Sequence, residues 1–172
     1  MKNNSAALKL TITGAATAVA LILSYIESLI PLSFAVPGVK LGLANIVSLF
    51  VLYRLDWRFA SLVSLLRVLL AALLFGSAMT LAYSASGAAL SLALMILLKK
   101  SAGFSAVGVS CAGAVAHNIG QIAMAAILTE TAQIAYYLPV LIISGVITGL
   151  AIGAAGAVII QRIKLNIGKR KD

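Results

Sequence analysis

Long apolar runs alternate with short polar or basic segments along the whole chain. A helix crosses the roughly 30 Å hydrocarbon core of a membrane when about 20 consecutive residues are predominantly apolar. The runs predict six such helices, at residues 10–30, 39–53, 57–76, 79–98, 104–128 and 134–161. Because the links are short, the pattern predicts an all-α integral membrane protein, a six-transmembrane-helix bundle that forms a single transmembrane helical domain over residues 1–172.

Basic residues occur at every second boundary between these predicted helices. If six helices alternate in direction, almost all Lys and Arg side chains fall on one side of the membrane. Segments on the cytoplasmic side carry such an excess, so both the N and the C terminus are predicted to be cytoplasmic. The basic residues on this side are Lys2, Lys9, Arg54, Arg58, Lys99, Lys100, Arg162, Lys164, Lys169, Arg170 and Lys171.

Composition agrees with a protein that lies in the lipid bilayer and excludes other classes. The chain is 62% hydrophobic and 10% charged, with a mean hydropathy of +1.12, which is too apolar for a soluble domain. The net charge of +9 is explained by the positive-inside rule, and no compact basic domain indicates a nucleic-acid partner. One His, one Cys and four acidic residues cannot assemble an ordinary metal site, so none is expected.

Arg67 lies near the centre of the third predicted helix. An Arg that faces lipid at this depth costs several kcal/mol or more, so Arg67 must face protein, water or a ligand. Of the four acidic residues, only Glu27 is placed by the sequence near the same depth.

The segment before the second predicted helix is apolar but cannot form one regular helix, because Pro31 and Pro37 interrupt it. Irregular backbone at the membrane face must pack on protein or cover a cavity. Residues 31–40 are therefore predicted to act as a lid. Lys40 begins a short second helix and is predicted to lie below the outer surface.

The stretch "AVAHNIGQIAMA" places three polar side chains within an apolar helix. His117 and Gln121 share one helix face with Gly113 and Gly120, and Asn118 lies at the edge of that face. A lone His in such a helix is either a satisfied packing residue or a ligand-binding residue, and both interpretations stay open for His117.

Polar residues of several predicted helices occur between the membrane centre and the outer face, which indicates a cavity open to the outside. Two cations against one carboxylate favour an anionic or carbonyl-bearing ligand. The competing interpretation is hydrogen bonding between helices, at about 0.6 kcal/mol a pair, and for Asn45 the two are even. The candidate substrate-binding residues are Glu27, Lys40, Asn45, Arg67, His117, Asn118 and Gln121.

Small residues recur at every fourth position in the first and last helices. Such strips let a neighbouring backbone come close. Packing inside the bundle is the favoured interpretation for Gly145, Gly149, Gly153 and Ala157, whereas Ala16 and Ala20 fit packing and a partner-docking surface equally well.

Four stretches carry a family resemblance that covers nearly the whole chain: "VPGVKLGLANIVSLFVLY", "LLRVLLAALLFGS", "SGAALSLALMILLKK" and "VGVSCAGAVAHNIGQIAMA". They resemble the Gx transporter family, whose members are often labelled heptaprenyl diphosphate synthase component I. The six short helices also resemble the substrate-binding S components of energy-coupling factor (ECF) transporters of bacteria.

This resemblance implies a multi-pass protein of the bacterial cytoplasmic membrane that binds a small micronutrient or a quinone- or isoprenoid-related precursor for uptake. It implies docking on an ECF transmembrane coupling subunit and two ATPases, which would use the ATP and Mg²⁺, so that this chain binds no cofactor itself. In that family an Ala-xxx-Ala strip makes the docking contact, and Ala16 and Ala20 match it. The loop between the first two helices gates the site, and residues 31–40 hold that position.

The synthase label conflicts with the acidic residues of the chain. The usual prenyl synthases bind a diphosphate through Mg²⁺ held by two Asp-rich clusters. This chain has only Asp56 and Asp172, and it lacks a Gly-rich phosphate loop, so it is expected not to be an enzyme.

Two alternatives to an S component remain. One is a non-catalytic membrane accessory subunit of polyprenyl diphosphate or quinone synthesis. The other is a stand-alone secondary transporter that uses His117 for protons, although six predicted helices without a clear inverted repeat make this less attractive.

Overall fold

The computed structural model describes residues 2–29, 42–101, 103–163 and 165, and within this part of the chain it contains helices and no strand. Every predicted helix has a counterpart, and the all-α fold class is confirmed. The helices are α1 (Lys2–Leu29), α2 (Asn45–Arg54), α3 (Trp57–Phe75), α4 (Ala78–Lys100), α5 (Ala106–Thr129) and α6 (Leu138–Arg162), with a 3₁₀ helix at Ala132–Tyr137 before α6.

Five helical segments in the described residues are long and apolar enough to cross a membrane, which makes this a multi-pass membrane protein. The exception is α2, whose 10 residues extend only about 15 Å. The predicted start of the second helix at residue 39 is wrong for residues 42–44, which do not belong to α2. Gly42 adopts a φ of +74°, which a regular helix cannot contain, and α2 begins only at Asn45.

α1 and α3 lie side by side and run in the same direction. The ammonium group of Lys9 lies 5.9 Å from the ring centroid of Phe59, and the Tyr25 and Phe75 rings meet edge to face at 5.6 Å. Lys9 and Phe59 are as far apart in the sequence as Tyr25 and Phe75. The two helices therefore stay aligned between these two contacts.

The glycine strip of α6 packs against α5. A Cβ atom built on Gly149 would lie 2.7 Å from the Cα of Cys111, and one on Gly153 would lie 2.9 Å from the Cα of Val107. Neither helix could approach so closely with a larger residue at these positions. Internal packing, the interpretation that the sequence favoured, is confirmed for the glycines of the strip.

Basic side chains hold helix ends together at one end of the bundle. Arg54 of α2 donates a hydrogen bond to the carbonyl oxygen of Ile160 in α6, and Lys99 of α4 donates to that of Leu52 in α2. The last carbonyl groups of a helix have no hydrogen-bond partner within the helix, so these two bonds satisfy oxygens that the helices themselves leave unpaired. We call this end, which also carries Lys9, the basic end. That it faces the cytoplasm stays a prediction.

Ala16 and Ala20 face the interior of the bundle. Their exposed fractions are 8% and 0%, and they belong to the apolar core that includes Leu49, Leu52 and Val63. As placed here, the pair cannot contact a partner, because other helices of the same chain cover it. A docking role for Ala16 and Ala20 stays a prediction, and it requires α1 to move away from the core.

Replacing Lys99 with methionine is expected to lower the stability of the protein. The substitution keeps the length of the side chain but removes the charged donor to Leu52, and a hydrogen bond from a charged group contributes about 1.5–3 kcal/mol. Thermal unfolding followed by circular dichroism in detergent would measure the loss. The matched control is Lys100→Met, because the neighbouring Lys100 is exposed. Equal melting temperatures for the two variants would contradict the capping role of Lys99.

Candidate functional site

A cavity lies where the start of α2 meets α4, α5 and α6. Three of the predicted binding residues line it, Asn45, His117 and Asn118. The other described lining residues are Gly42, Met95, Ser110, Ala114, Thr148, Gly149 and Ile152. The structure thus brings together Asn45 and Asn118, which are 73 positions apart in the sequence.

The start of α2 lies about 15 Å from the basic end, because α2 has only 10 residues. Ten residues reach only about half of the hydrocarbon thickness from the basic end, where α2 finishes at Arg54. The N-cap residue, Ala44, offers no side-chain hydrogen bond to the first turn. The first N–H groups of α2 are nevertheless satisfied, because backbone carbonyl oxygens of the turn at residues 42–44 accept hydrogen bonds from them.

Glu27 joins α1 to the chain just before α2. Its Oε1 atom accepts a hydrogen bond from the backbone N–H of Gly42 at 2.5 Å. Since Gly42 and Asn45 both line the cavity, Glu27 supports the cavity wall rather than forming part of the lining that is described. The sequence predicted Glu27 as a candidate substrate-binding residue, but its backbone partner could not be predicted.

His117 is buried and its position depends on a glycine of the neighbouring helix. A Cβ atom built on Gly87 of α4 would lie 2.8 Å from the carbonyl oxygen of His117 and 3.1 Å from its Cε1 atom. The hydroxyl of Ser86 donates to the carbonyl oxygen of Gly120 at 2.8 Å, which holds the same crossing together. α4 and α5 therefore position the imidazole by close backbone contact.

Asn118 is both a cavity residue and a packing residue. Its amide nitrogen donates to the carbonyl oxygen of Leu141 in α6 at 2.7 Å. Gly145 makes room for this bond, because a Cβ atom there would lie 2.9 Å from the same nitrogen. The side-chain nitrogen of Asn118 therefore forms a hydrogen bond between two helices, which was one of the two interpretations of the sequence. The side chain also lies on the cavity wall.

Gln121 lies one turn beyond His117 and packs over the same glycine. Its Cγ atom is 2.8 Å from where a Cβ on Gly87 would lie. Its Oε1 atom is buried and has no hydrogen-bond partner among the described residues. His117 lines the cavity, but Gln121 is not among its described lining residues. The two side chains were predicted to share a helix face, and this shared face does not place both at the cavity.

Arg67 also lies outside this described lining. Its Nε and Nη2 atoms are buried, and within the described part of the chain neither has a hydrogen-bond partner. That Glu27 is the acidic neighbour of Arg67 stays a prediction. An Arg with open donors at this depth is costly, and such groups in membrane proteins mark ligand or ion sites.

The cavity is small in this conformation. Its volume of about 20 Å³ accommodates one or two water molecules, each of which needs at least about 10–15 Å³. A larger ligand therefore requires a different arrangement of the residues around the cavity.

Two predictions cannot be compared with the structure, since Lys40 and the lid segment at residues 31–40 lie outside the described residues. Conversely, Ser110, Thr148 and Met95 line the cavity but were not predicted. Hydroxyls in membrane helices usually bond to their own backbone, as Thr148 does to Gly145 at 3.4 Å, so they carry little signal in a sequence. No group of three or more His, Cys, Asp or Glu is placed to hold a metal ion in the part of the chain that is described.

Comparisons with known proteins give one match. A family model described as heptaprenyl diphosphate synthase component I matches residues 16–159, which include α2 to α5, the second half of α1 and nearly all of α6. No curated protein and no solved structure matches the chain. The matched range covers Asn45, Arg67 and the polar stretch of α5. The chain is therefore a membrane protein of the heptaprenyl diphosphate synthase component I family.

Proposed function

We propose that this protein is the substrate-binding membrane subunit of an ATP-driven uptake transporter, of the kind formed by the S components of ECF transporters. Its substrate would be a small micronutrient or a quinone- or isoprenoid-related precursor. The protein would work in the bacterial cytoplasmic membrane and would carry out no catalytic step itself.

One observation carries the proposal: a short helix, α2, begins about 15 Å from the basic end at a cavity with polar walls. Interrupted helices whose ends meet a site near the bilayer centre are typical of transporter binding sites. A bundle that only needed to be stable would gain nothing from a short helix, a buried His and a polar cavity at one point.

In this proposal each of the described site residues has its own role. Asn45 and His117 hydrogen-bond the ligand, and Asn118 holds α6 against α5 through Leu141 while it forms part of the wall. The N-terminus of α2 attracts a carbonyl or anionic group of the ligand, because the helix dipole is positive there. Glu27 keeps the start of α2 in place.

Energy for uptake would come from partner proteins. The proposed partners are an ECF transmembrane coupling subunit and two ATPases that use ATP and Mg²⁺. Because Ala16 and Ala20 are packed in the core, the proposal leaves open which face of α1 meets the coupling subunit.

Native mass spectrometry of the protein purified from bacterial membranes tests ligand binding. We expect a small molecule to co-purify and to be lost from His117→Ala, because one hydrogen bond in a buried site contributes about 1.4 kcal/mol, or about tenfold in affinity. The control is Thr11→Ala, since Thr11 is exposed and bonds only to the carbonyl of Ala7. If no small molecule accompanies the wild-type protein, and if cells that lack it take up the same nutrients, the proposal is wrong.

The family description favours a second candidate, a non-catalytic accessory subunit of polyprenyl diphosphate or quinone synthesis. Affinity purification of the full chain from its membrane separates the two. ATPases in the purified complex support the transporter, whereas a soluble Asp-rich synthase without ATPases supports the accessory subunit. Uptake by the protein alone in liposomes, driven by a pH gradient, would instead indicate a secondary transporter.

A further inference from the structure

The two ends of the cavity differ in chemistry. α5 begins at the basic end with Ala106, so Asn118 and the adjacent His117 lie about 17–18 Å along it. Met95 lies only about 7–8 Å from the basic end, because α4 ends there with Lys100 five residues later. The cavity therefore has amide and imidazole groups at its far end and the thioether of Met95 nearer to the basic end.

Most of the cavity wall cannot yield unless a helix moves. Thr148 and Ile152 are β-branched, so their side chains are stiff at χ1. Asn118 is hydrogen-bonded to α6, and His117 packs closely on α4. Lining residues without a movable side chain are Gly42, Ala114 and Gly149. The longest unbranched side chain of the described lining is that of Met95, which can adapt its shape by rotation about its single bonds.

Met95 packs in a groove that small residues form. A Cβ atom built on Gly113 of α5 would lie 2.6 Å from the Cγ atom of Met95 and 2.7 Å from its Sδ atom. The hydroxyl of Ser91 lies 3.7 Å from the same sulfur, which is a weak acceptor and does not fix one rotamer. Since Gly113 precedes His117 by one helical turn, a rotation of Met95 along this groove opens space beside the imidazole.

We infer that Met95 is the adjustable wall of the cavity and that the substrate is amphipathic. The polar group of the substrate binds at Asn45, His117 and Asn118, and a compact apolar group takes the space that the thioether leaves by rotating. A substrate that is polar throughout would have to desolvate polar groups against this thioether. The inference rests on the proposed substrate-binding function and names the chemical class of the substrate.

NMR of protein labelled with ¹³C-methyl methionine in nanodiscs tests the inference. The chain has four Met residues, and Met95→Leu identifies the Met95 signal by its loss. The probes benzamide, 3-methylbutanamide and acetamide share a carboxamide but carry a ring, a branched chain or a single methyl group. We expect one or both of the larger amides to shift the Met95 signal at about tenfold lower concentration than acetamide, which corresponds to about 1.4 kcal/mol. The Met79 signal is the internal control for partitioning into lipid, because Met79 lies on the same helix and is exposed.

Two variants separate an adjustable wall from a packing residue, with affinity measured by ¹⁹F NMR of 4-fluorobenzamide. Met95→Leu keeps a similar volume but branches the side chain, so we expect about tenfold weaker binding, whereas Met95→Ala removes the wall and should bind at least as tightly as the wild type. Met79→Leu is the matched control and should change nothing.

A Met95 signal that neither larger amide shifts, an equal response to acetamide, or unweakened binding by Met95→Leu would overturn the inference. A ligand that co-purifies from membranes and has no apolar group would also overturn it, while leaving the proposed uptake function intact.

Discussion

Replacing Arg67 with methionine is expected to make the ligand-free protein more stable and to abolish substrate binding. The guanidinium is buried near the membrane centre with open Nε and Nη2 donors, whereas methionine has a similar length and no polar group to desolvate. An Arg at the centre of a membrane helix costs about 2.5–3.5 kcal/mol on insertion scales, and most of this cost disappears with the charge. The free energy of unfolding should therefore rise by about 2 kcal/mol.

The two effects of Arg67→Met are measured on the same preparation. Reversible unfolding in mixed micelles reports stability, and native mass spectrometry reports the co-purifying ligand. Arg58→Met is the matched control, because Arg58 is exposed at the basic end and should change neither quantity by much. A less stable Arg67→Met that still retains its ligand would mean that Arg67 holds the fold together and does not bind substrate.

Replacing Gly149 with alanine is expected to destabilise the protein although alanine is the better helix former. The new Cβ would lie 2.7 Å from the Cα of Cys111, so α5 and α6 would have to separate. Overpacking of this kind costs about 1–3 kcal/mol, which exceeds the gain of up to about 1 kcal/mol in helix propensity. Because Gly149 also lines the cavity, ligand binding should weaken as well.

Gly14→Ala is the matched control for this substitution. No atom lies within 4 Å of a Cβ built on Gly14, so only the propensity gain remains and stability should be unchanged or higher. Melting temperatures of both variants in one detergent provide the comparison. If Gly149→Ala were as stable as Gly14→Ala, the close contact between α5 and α6 would not exist in the membrane.

Features that depend on position along one helix could be predicted from the sequence. The central position of Arg67 along α3 follows from residue counting, because α3 spans Trp57–Phe75. The glycine strip of α6 was correctly predicted to pack, since small residues at every fourth position lie on one helix face.

Features that depend on which helix lies opposite could not be predicted. Ala16 and Ala20 share a face, but only the packed structure shows that this face meets the core rather than a partner. Gln121 shares a face with His117, yet it packs over Gly87 and outside the described cavity lining. In the sequence Gly42 resembled the other glycines, whereas its φ of +74° excludes it from the short second helix, which begins at Asn45.

The sequence by itself determined that this protein lies in a membrane and where its long helices begin and end within about four residues, except that α1 begins eight residues earlier than predicted. Apolar length and charge placement decide these properties, because the lipid bilayer acts on each segment separately. The tertiary structure alone decided that Asn45, His117 and Asn118 share one cavity and that α2 begins at its wall. The physical reason is that neighbours across a bundle are selected by close packing of several helices at once, which no single segment encodes.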